Sequence, residues 1–302
     1  MAEPLAVPVA GGSLAAYRFA GEPGAPTVLA IHGITANSHS WVPTARALQG
    51  SVTLTAVDLR GRGRSNELPE PFGIAAHVQD MVAVLDALDL ERAVVVGHSL
   101  GAYIAAALAT AHPERVSGLV LVDGGLPVPG SRGVDPEPFI SAFLGPALAR
   151  LELTFTDRAA YRAWWAQHPA VSGSDIELAD LAAYADHDLI GRQGAMRSAV
   201  NPACIRPDGR GVLEAVDADR LQLPAVLLCA PRGLLGEPNP MQPLELVQRW
   251  AAADPERRRG LQIGDTNHYS IVLGRRGAAA VATEIVGALT GQRAPGTRQS
   301  LS

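Results

Sequence analysis

The stretch Val94-Val95-Val96-Gly97-His98-Ser99-Leu100-Gly101 constrains this chain more tightly than any other. Its valines read as a buried strand, the following Ala102-Tyr103-Ile104-Ala105-Ala106-Ala107 reads as a helix, and Ser99 alone is left to make the turn between them. A serine on so sharp a turn has its Oγ pushed out at the carboxyl end of the sheet, and the backbone there tolerates only small residues two positions to either side. Gly97 and Gly101 meet that requirement. The helix behind the serine also turns its free N–H groups and the positive end of its dipole toward any negative charge that forms there.

The rest of the chain supplies the sheet that such a turn needs. Ala6–Val9 and Leu14–Phe19 flank Gly11-Gly12 and read as a hairpin. Short apolar runs follow at Thr27–Ile31, Val52–Val57, Ala93–Val96, Leu119–Val122, Ala225–Cys229 and Leu261–Ile263, and helical periodicity fits Ile74–Leu88, Ser99–Ala111, Pro243–Ala253 and Gly277–Leu289. This alternation predicts an α/β fold, with a mostly parallel sheet covered by helices on both faces. Between Val122 and Ala225 there are helical patches and no convincing strand. A compact domain rarely tolerates so long a loop, so residues 126–215 are expected to form an inserted helical cap, with residues 1–125 and 216–290 as the core and 291–302 as a flexible tail. The insertion holds seven of the chain's 14 aromatic residues (Phe139, Phe143, Phe155, Tyr161, Trp164, Trp165, Tyr184), enough either to bury a small helical unit or to line an apolar pocket.

Composition removes several chemistries. All 25 residues counted as Lys+Arg are arginines, so Schiff bases, lysine general bases and the GK[ST] phosphate loop are excluded. With a net charge of −5 and arginines scattered except at Arg257-Arg258-Arg259, which reads as a solvated turn, there is no basic footprint for nucleic acid or anionic lipid. Cys204 and Cys229 make neither a disulfide framework nor a zinc spacing, and neither cofactor nor metal is expected. The sequence lacks a basic-then-apolar leader and any run of about 20 apolar residues, so the expectation is a cytoplasmic protein without a membrane span; oligomeric state is not legible.

Three further segments accompany the serine turn in order: Ile31-His32-Gly33-Ile34, Asp58-Leu59-Arg60-Gly61-Arg62-Gly63-Arg64-Ser65, and Thr266-Asn267-His268. Together with G-x-S-x-G they resemble the α/β-hydrolase superfamily along nearly the whole chain, which implies an eight-stranded sheet, a Ser99 nucleophile and hydrolysis without a cofactor. The two glycines of the Asp58–Ser65 segment do not make a dinucleotide fingerprint, because no third glycine follows and no helix opens at once. By the resemblance, the backbone N–H groups of Ile34 and Leu100 form an oxyanion hole, and loss of one such donor costs roughly 3–4 kcal/mol. His32 is expected to hold its loop in shape by hydrogen bonding.

A serine hydroxyl is a poor nucleophile until its proton is taken, so a histidine base is required. Of the eight histidines only His268 follows an expected strand near the C-terminal end; His98 adjoins the serine but faces the wrong way on a tight turn, and His112 reads as a helix end. The acid departs from the commonest pattern of the superfamily, since Gly233 stands where an aspartate would follow the strand after the insertion. A minority pattern puts the acid one strand earlier, where Leu121-Val122-Asp123 offers Asp123; Glu237, a water-bridged acid or no acid are the alternatives. Asp265 is read as loop structure and Trp41 as core.

These residues lead to the expectation of a serine hydrolase cleaving a small to medium apolar carboxylic ester, lactone or thioester through an acyl-enzyme. Carbon–carbon bond hydrolysis, cofactor-free haloperoxidase activity and a ligand receptor without turnover are the alternatives within the same fold.

Overall fold

A computed structural model describes residues 2–131, 133 and 135–291, without the side chains of residues 136, 139, 142, 143 and 146. The expected tail beyond Gly291, and the side chains of Phe139 and Phe143, therefore lie outside the described residues.

Among the described residues, ten strands and ten α-helices succeed one another. The first half of the core is β1 (Glu3–Val9), β2 (Gly12–Phe19), β3 (Thr27–Ile31), α1 (Val42–Ala47), β4 (Thr53–Val57), α2 (Ile74–Ala87), β5 (Ala93–His98), α3 (Leu100–Ala111) and β6 (Val116–Val122). The inserted segment carries α4 (Pro136–Leu151), α5 (Arg158–Ala166), α6 (Leu178–Asp188), β7 (Leu189–Arg192), β8 (Ala195–Ser198) and α7 (Ile205–Glu214). The core resumes with β9 (Ala225–Cys229), α8 (Leu244–Ala252), β10 (Arg258–Gln262), α9 (Ser270–Leu273) and α10 (Arg275–Thr290). Eight strands form one sheet in the order β1-β2-β4-β3-β5-β6-β9-β10, antiparallel at β1/β2 and β2/β4 and parallel elsewhere.

The central strands are apolar throughout because both of their faces are covered. Alternate residues point to opposite sides. Leu29, Val95, Leu121 and Leu227 pack against α2, α3 and α8, whereas Val28, Val94, Val120 and Val226 pack in a second cluster that also takes Val281 and Ile285 of α10. Trp41, fully buried, belongs to that second cluster, as expected for a core residue. Aromatics of the insertion (Tyr161, Trp165, Tyr184) extend the same cluster, so the inserted segment and the core share one apolar interior.

Two expectations need correction. The insertion is not purely helical: β7 and β8 pair as an antiparallel ribbon across Gln193-Gly194, with Gly194 at φ 89°. Its strands, Leu-Ile-Gly-Arg and Ala-Met-Arg-Ser, are four residues each, too short for any apolar–polar alternation to betray them. The last strand starts at Arg258, and the Arg257-Arg258-Arg259 run is not a solvated turn. Arg258 stacks 5.5 Å over the Trp250 ring and donates to the Asp219 carbonyl at 2.9 Å, and Arg259 pairs with Glu284 at 3.1 Å; only Arg257 belongs to the turn, paired with Asp254. An edge strand has a single partner and accepts polar residues that a central strand would not.

Leu29→Ala, in a fully buried position of β3, is expected to lower unfolding free energy by about 2–5 kcal/mol, measured by urea titration.

Candidate active site

Ser99 sits between β5 and α3 at φ 53°, ψ −121°, a conformation that a non-glycine residue holds only when its surroundings enforce it. Its N–H donates to the Val122 carbonyl at 2.9 Å, and its carbonyl accepts from Ala102 N–H at 2.9 Å. The need for glycine at both flanks is steric. A Cβ on Gly97 would lie 2.1 Å from the Gly101 carbonyl oxygen, and one on Gly101 would lie 2.1 Å from the Ile31 carbonyl oxygen.

His268 lies in the loop between β10 and α9. Asn267 fixes that loop: its Oδ1 accepts from Tyr269 and Ser270 N–H, both at 2.9 Å, and its Nδ2 donates to the Ala170 carbonyl at 2.8 Å. Nδ1 of His268 meets Asp123 Oδ2 at 2.7 Å. Asp123, fully buried at the end of β6 with φ 46°, uses Oδ1 to accept from Ala230 N–H at 3.1 Å. Both carboxylate oxygens are thus engaged and the imidazole is oriented from behind. Glu237 is not brought to His268 in this way; its Oε2 accepts from Leu235 N–H at 2.7 Å and closes its own turn around Gly233. Asp265 is a loop residue whose carbonyl takes Arg232 Nη2 at 3.2 Å.

His98 is the residue whose surroundings the sequence left unread. Its Nε2 donates to the His268 carbonyl at 2.9 Å, with the two rings 4.7 Å apart, so it braces the backbone of His268 from the strand that carries Ser99. Burial and the neighbouring His268 hold the His98 ring well below the usual histidine range, and the neutral form supplies the single donor that this contact uses. His32 matches its expected structural part. Its Nε2 accepts from Leu59 N–H at 3.0 Å, so Nδ1 carries the proton and donates to the Gly33 carbonyl at 2.7 Å; burial depresses its pKa to about 4.

Ile34 follows in that turn, with its carbonyl held by Arg62 Nε at 2.9 Å. Leu100 opens α3, where an N–H has no intrahelical acceptor. Asp58, at the head of the neighbouring turn, is buried and accepts from Ser38 N–H at 2.8 Å, Arg64 N–H at 2.8 Å and His187 Nε2 at 2.7 Å. Burial alone would raise its pKa, but these partners pull it well below the ordinary aspartate value.

Ser99, His268, Ile34 and Thr35 line one cavity, walled by Tyr184 and Leu273. A second cavity shares Ser99, Ile34, Leu144 and Met241 with the first and continues past Leu100 to Val212 of the insertion. Among the described residues, no Asp, Glu or Arg lines either cavity, and no three His, Cys, Asp or Glu side chains converge to hold a metal ion. No described helix is long and apolar enough to cross a membrane.

With eight strands in this order, a serine at the β5–α3 turn and a histidine after the last strand, the chain has the α/β-hydrolase fold, and residues 26–165 match the family model described as alpha/beta hydrolase fold. Lipase LipV of Mycobacterium tuberculosis (strain ATCC 25618 / H37Rv) is 39% identical over 135 residues, 44% of this chain and 51% of that protein. The chain spans about a third to a half of the length of the curated relatives it matches. Among solved structures, E-2-(acetamidomethylene)succinate hydrolase aligns over 95% of this chain and 99% of that one, with a TM-score of 0.75 and 20% identity. The thioesterase domain from the curacin biosynthetic pathway aligns over 95% and 99%, with a TM-score of 0.70 and 23% identity. These two likenesses concern the fold.

Because burial depresses the His32 pKa from 6.5 to about 4, the unfolded chain binds more protons between those values, so this group's contribution to stability falls as pH is lowered through that window. A histidine of this kind contributes up to about 1.4 kcal/mol per pH unit. Urea unfolding at pH 7 and pH 5 is expected to give the lower midpoint at pH 5.

Proposed function

We propose that the protein is a serine hydrolase acting on an uncharged, apolar carboxylic ester, lactone or thioester. The 2.7 Å contact between His268 Nδ1 and Asp123 Oδ2, behind a ring that shares a cavity with Ser99, carries this reading. Ser99 Oγ attacks the carbonyl carbon and His268 Nε2 takes the hydroxyl proton. Asp123 keeps Nδ1 protonated and stabilises the imidazolium. The carbonyl oxygen becomes negative against the N–H groups of Ile34 and Leu100. As the tetrahedral intermediate collapses, His268 returns the proton to the leaving group; water then attacks the acyl-enzyme by the same route and frees Ser99. Residues 126–215 act as a cap that excludes water from the acyl group.

The lining argues against a charged substrate. A carboxylate brought into these cavities would be desolvated without a cation among the described lining residues, a cost that proteins avoid. A likeness in fold to a hydrolase named for a succinate therefore does not extend to the ligand.

Ser99→Ala is expected to abolish both multiple turnover of a p-nitrophenyl ester and covalent labelling by a fluorophosphonate; persistent labelling would disprove the nucleophile. Asp123→Asn is expected to lower kcat by as much as about 10⁴-fold, by favouring the wrong imidazole tautomer, while Glu237→Gln stays within about twofold. The opposite ranking would move the acid to the later loop. Acylation that stops after one equivalent in the native protein would favour a ligand receptor.

A further inference from the structure

Three consecutive carbonyls after β3 each end on a buried basic side chain. Gly33 C=O accepts from His32 Nδ1 at 2.7 Å, Ile34 C=O from Arg62 Nε at 2.9 Å, and Thr35 C=O from Arg150 Nη2 at 2.9 Å. His32 and Arg62 belong to the core, but Arg150 is contributed by α4 of the insertion, 115 residues away in sequence from the carbonyl it holds. We propose that Arg62 and Arg150 are positioning residues that hold the Gly33–Thr35 turn with the Ile34 N–H aimed at the developing oxyanion, so that seating of the inserted segment governs transition-state stabilisation.

The geometry of the peptide group makes the link. In a planar trans peptide the C=O and N–H point in opposite directions, so a carbonyl that is tied down fixes the aim of the N–H across the same plane. Gly33 C=O and Ile34 N–H share one plane; Ile34 C=O and Thr35 C=O fix the next two, and thereby the dihedral angles through which the donor could swing away. A donor preorganised in this way costs no reorganisation when charge appears.

Both arginines take their counter-charge from the insertion. Arg62 Nη2 lies 2.5 Å from Asp208 Oδ2 in α7, whose Oδ1 accepts from Gly73 N–H at 2.7 Å and contacts His77 Nε2 at 3.1 Å. Arg150 Nη1 meets Asp188 Oδ2 at 2.5 Å and Ser198 Oγ at 3.2 Å, and its guanidinium lies 5.2 Å from the centre of the Trp165 ring. Each guanidinium is buried and spans a carboxylate on one edge and the turn on another, which a planar fork of fixed donors does and a point-like ammonium does not. If the insertion lifted away, Arg62 would lose its buried partner and Thr35 its donor together.

This inference rests on the oxyanion role proposed for Ile34, and the experiment keeps the two apart. Wild type, Arg150→Lys, Arg150→Met and the double variant Arg150→Met/Asp188→Leu are assayed with a p-nitrophenyl ester, with kcat expressed per active site titrated by a fluorophosphonate. The affinity of a trifluoromethyl ketone, which forms a tetrahedral adduct on the serine, is measured alongside. The double variant serves if Arg150→Met does not fold, because replacing a buried ion pair by apolar residues of similar volume is often tolerated. The Met variants are expected to lose roughly 10- to 100-fold in kcat, short of the 10²–10³ that follows outright loss of a donor. KM should stay within about twofold, ketone affinity should fall by the same factor as kcat/KM, and Arg150→Lys should recover part of the loss. Unchanged kcat per titrated site, or a loss confined to KM, would overturn the positioning role. Absence of fluorophosphonate labelling in wild type would instead overturn the hydrolase reading beneath it.

Discussion

Close approach of backbone to backbone around Ser99 is the constraint from which the rest of the molecule follows. Gly97 and Gly101 admit neighbouring carbonyls to where a side chain would stand, and a Cβ on Gly124 would lie 2.6 Å from the Ser99 carbonyl oxygen. Three segments, the ends of β3, β5 and β6, therefore converge on one point at the carboxyl edge of the sheet. The strained φ of Ser99 persists because hydrogen bonds on both sides of it are already committed. With that point fixed, His32, Ile34, Ser99 and Asp123 are neighbours without further arrangement, and only His268 has to be delivered from elsewhere.

Much of this was legible in the sequence because the core obeys short-range rules. Buried parallel strands are apolar along their whole length, and glycine stands where nothing larger fits, so β3, β5, β6 and β9 and the serine turn announce themselves. Asp123, which the structure brings to His268, was suggested by the resemblance to the superfamily's minority pattern, with Gly233 standing at the commoner acid position. The β7–β8 ribbon was not legible: four-residue strands with arginines at Arg192 and Arg197 carry no alternation. Nor was the start of β10 at Arg258, where an edge position and a Trp250 ring make room for a guanidinium.

Buried arginines are the part of the site that pattern reading could not reach. A cation in a sequence reads as surface, and Arg150 sits in a helix whose polar and apolar residues give no hint that its head is enclosed by Asp188, Tyr161 and Ser198. Such enclosure depends on partners that arrive from far along the chain. His98 is a similar case, for its use comes from a carbonyl 170 residues away.

The contact between Asp123 and His268 also closes a loop of 145 residues that contains the entire insertion. For a flexible chain the entropy of bringing two ends together grows only with the logarithm of the length between them, so doubling that stretch would cost about 0.6 kcal/mol more. The contact between His268 and Asp123 is therefore nearly indifferent to how much polypeptide lies between its partners. The intervening segment can lengthen, shorten or be rebuilt while Asp123 and His268 stay where the sheet holds them, so that under the proposed function the chemistry and the choice of substrate vary as separate problems.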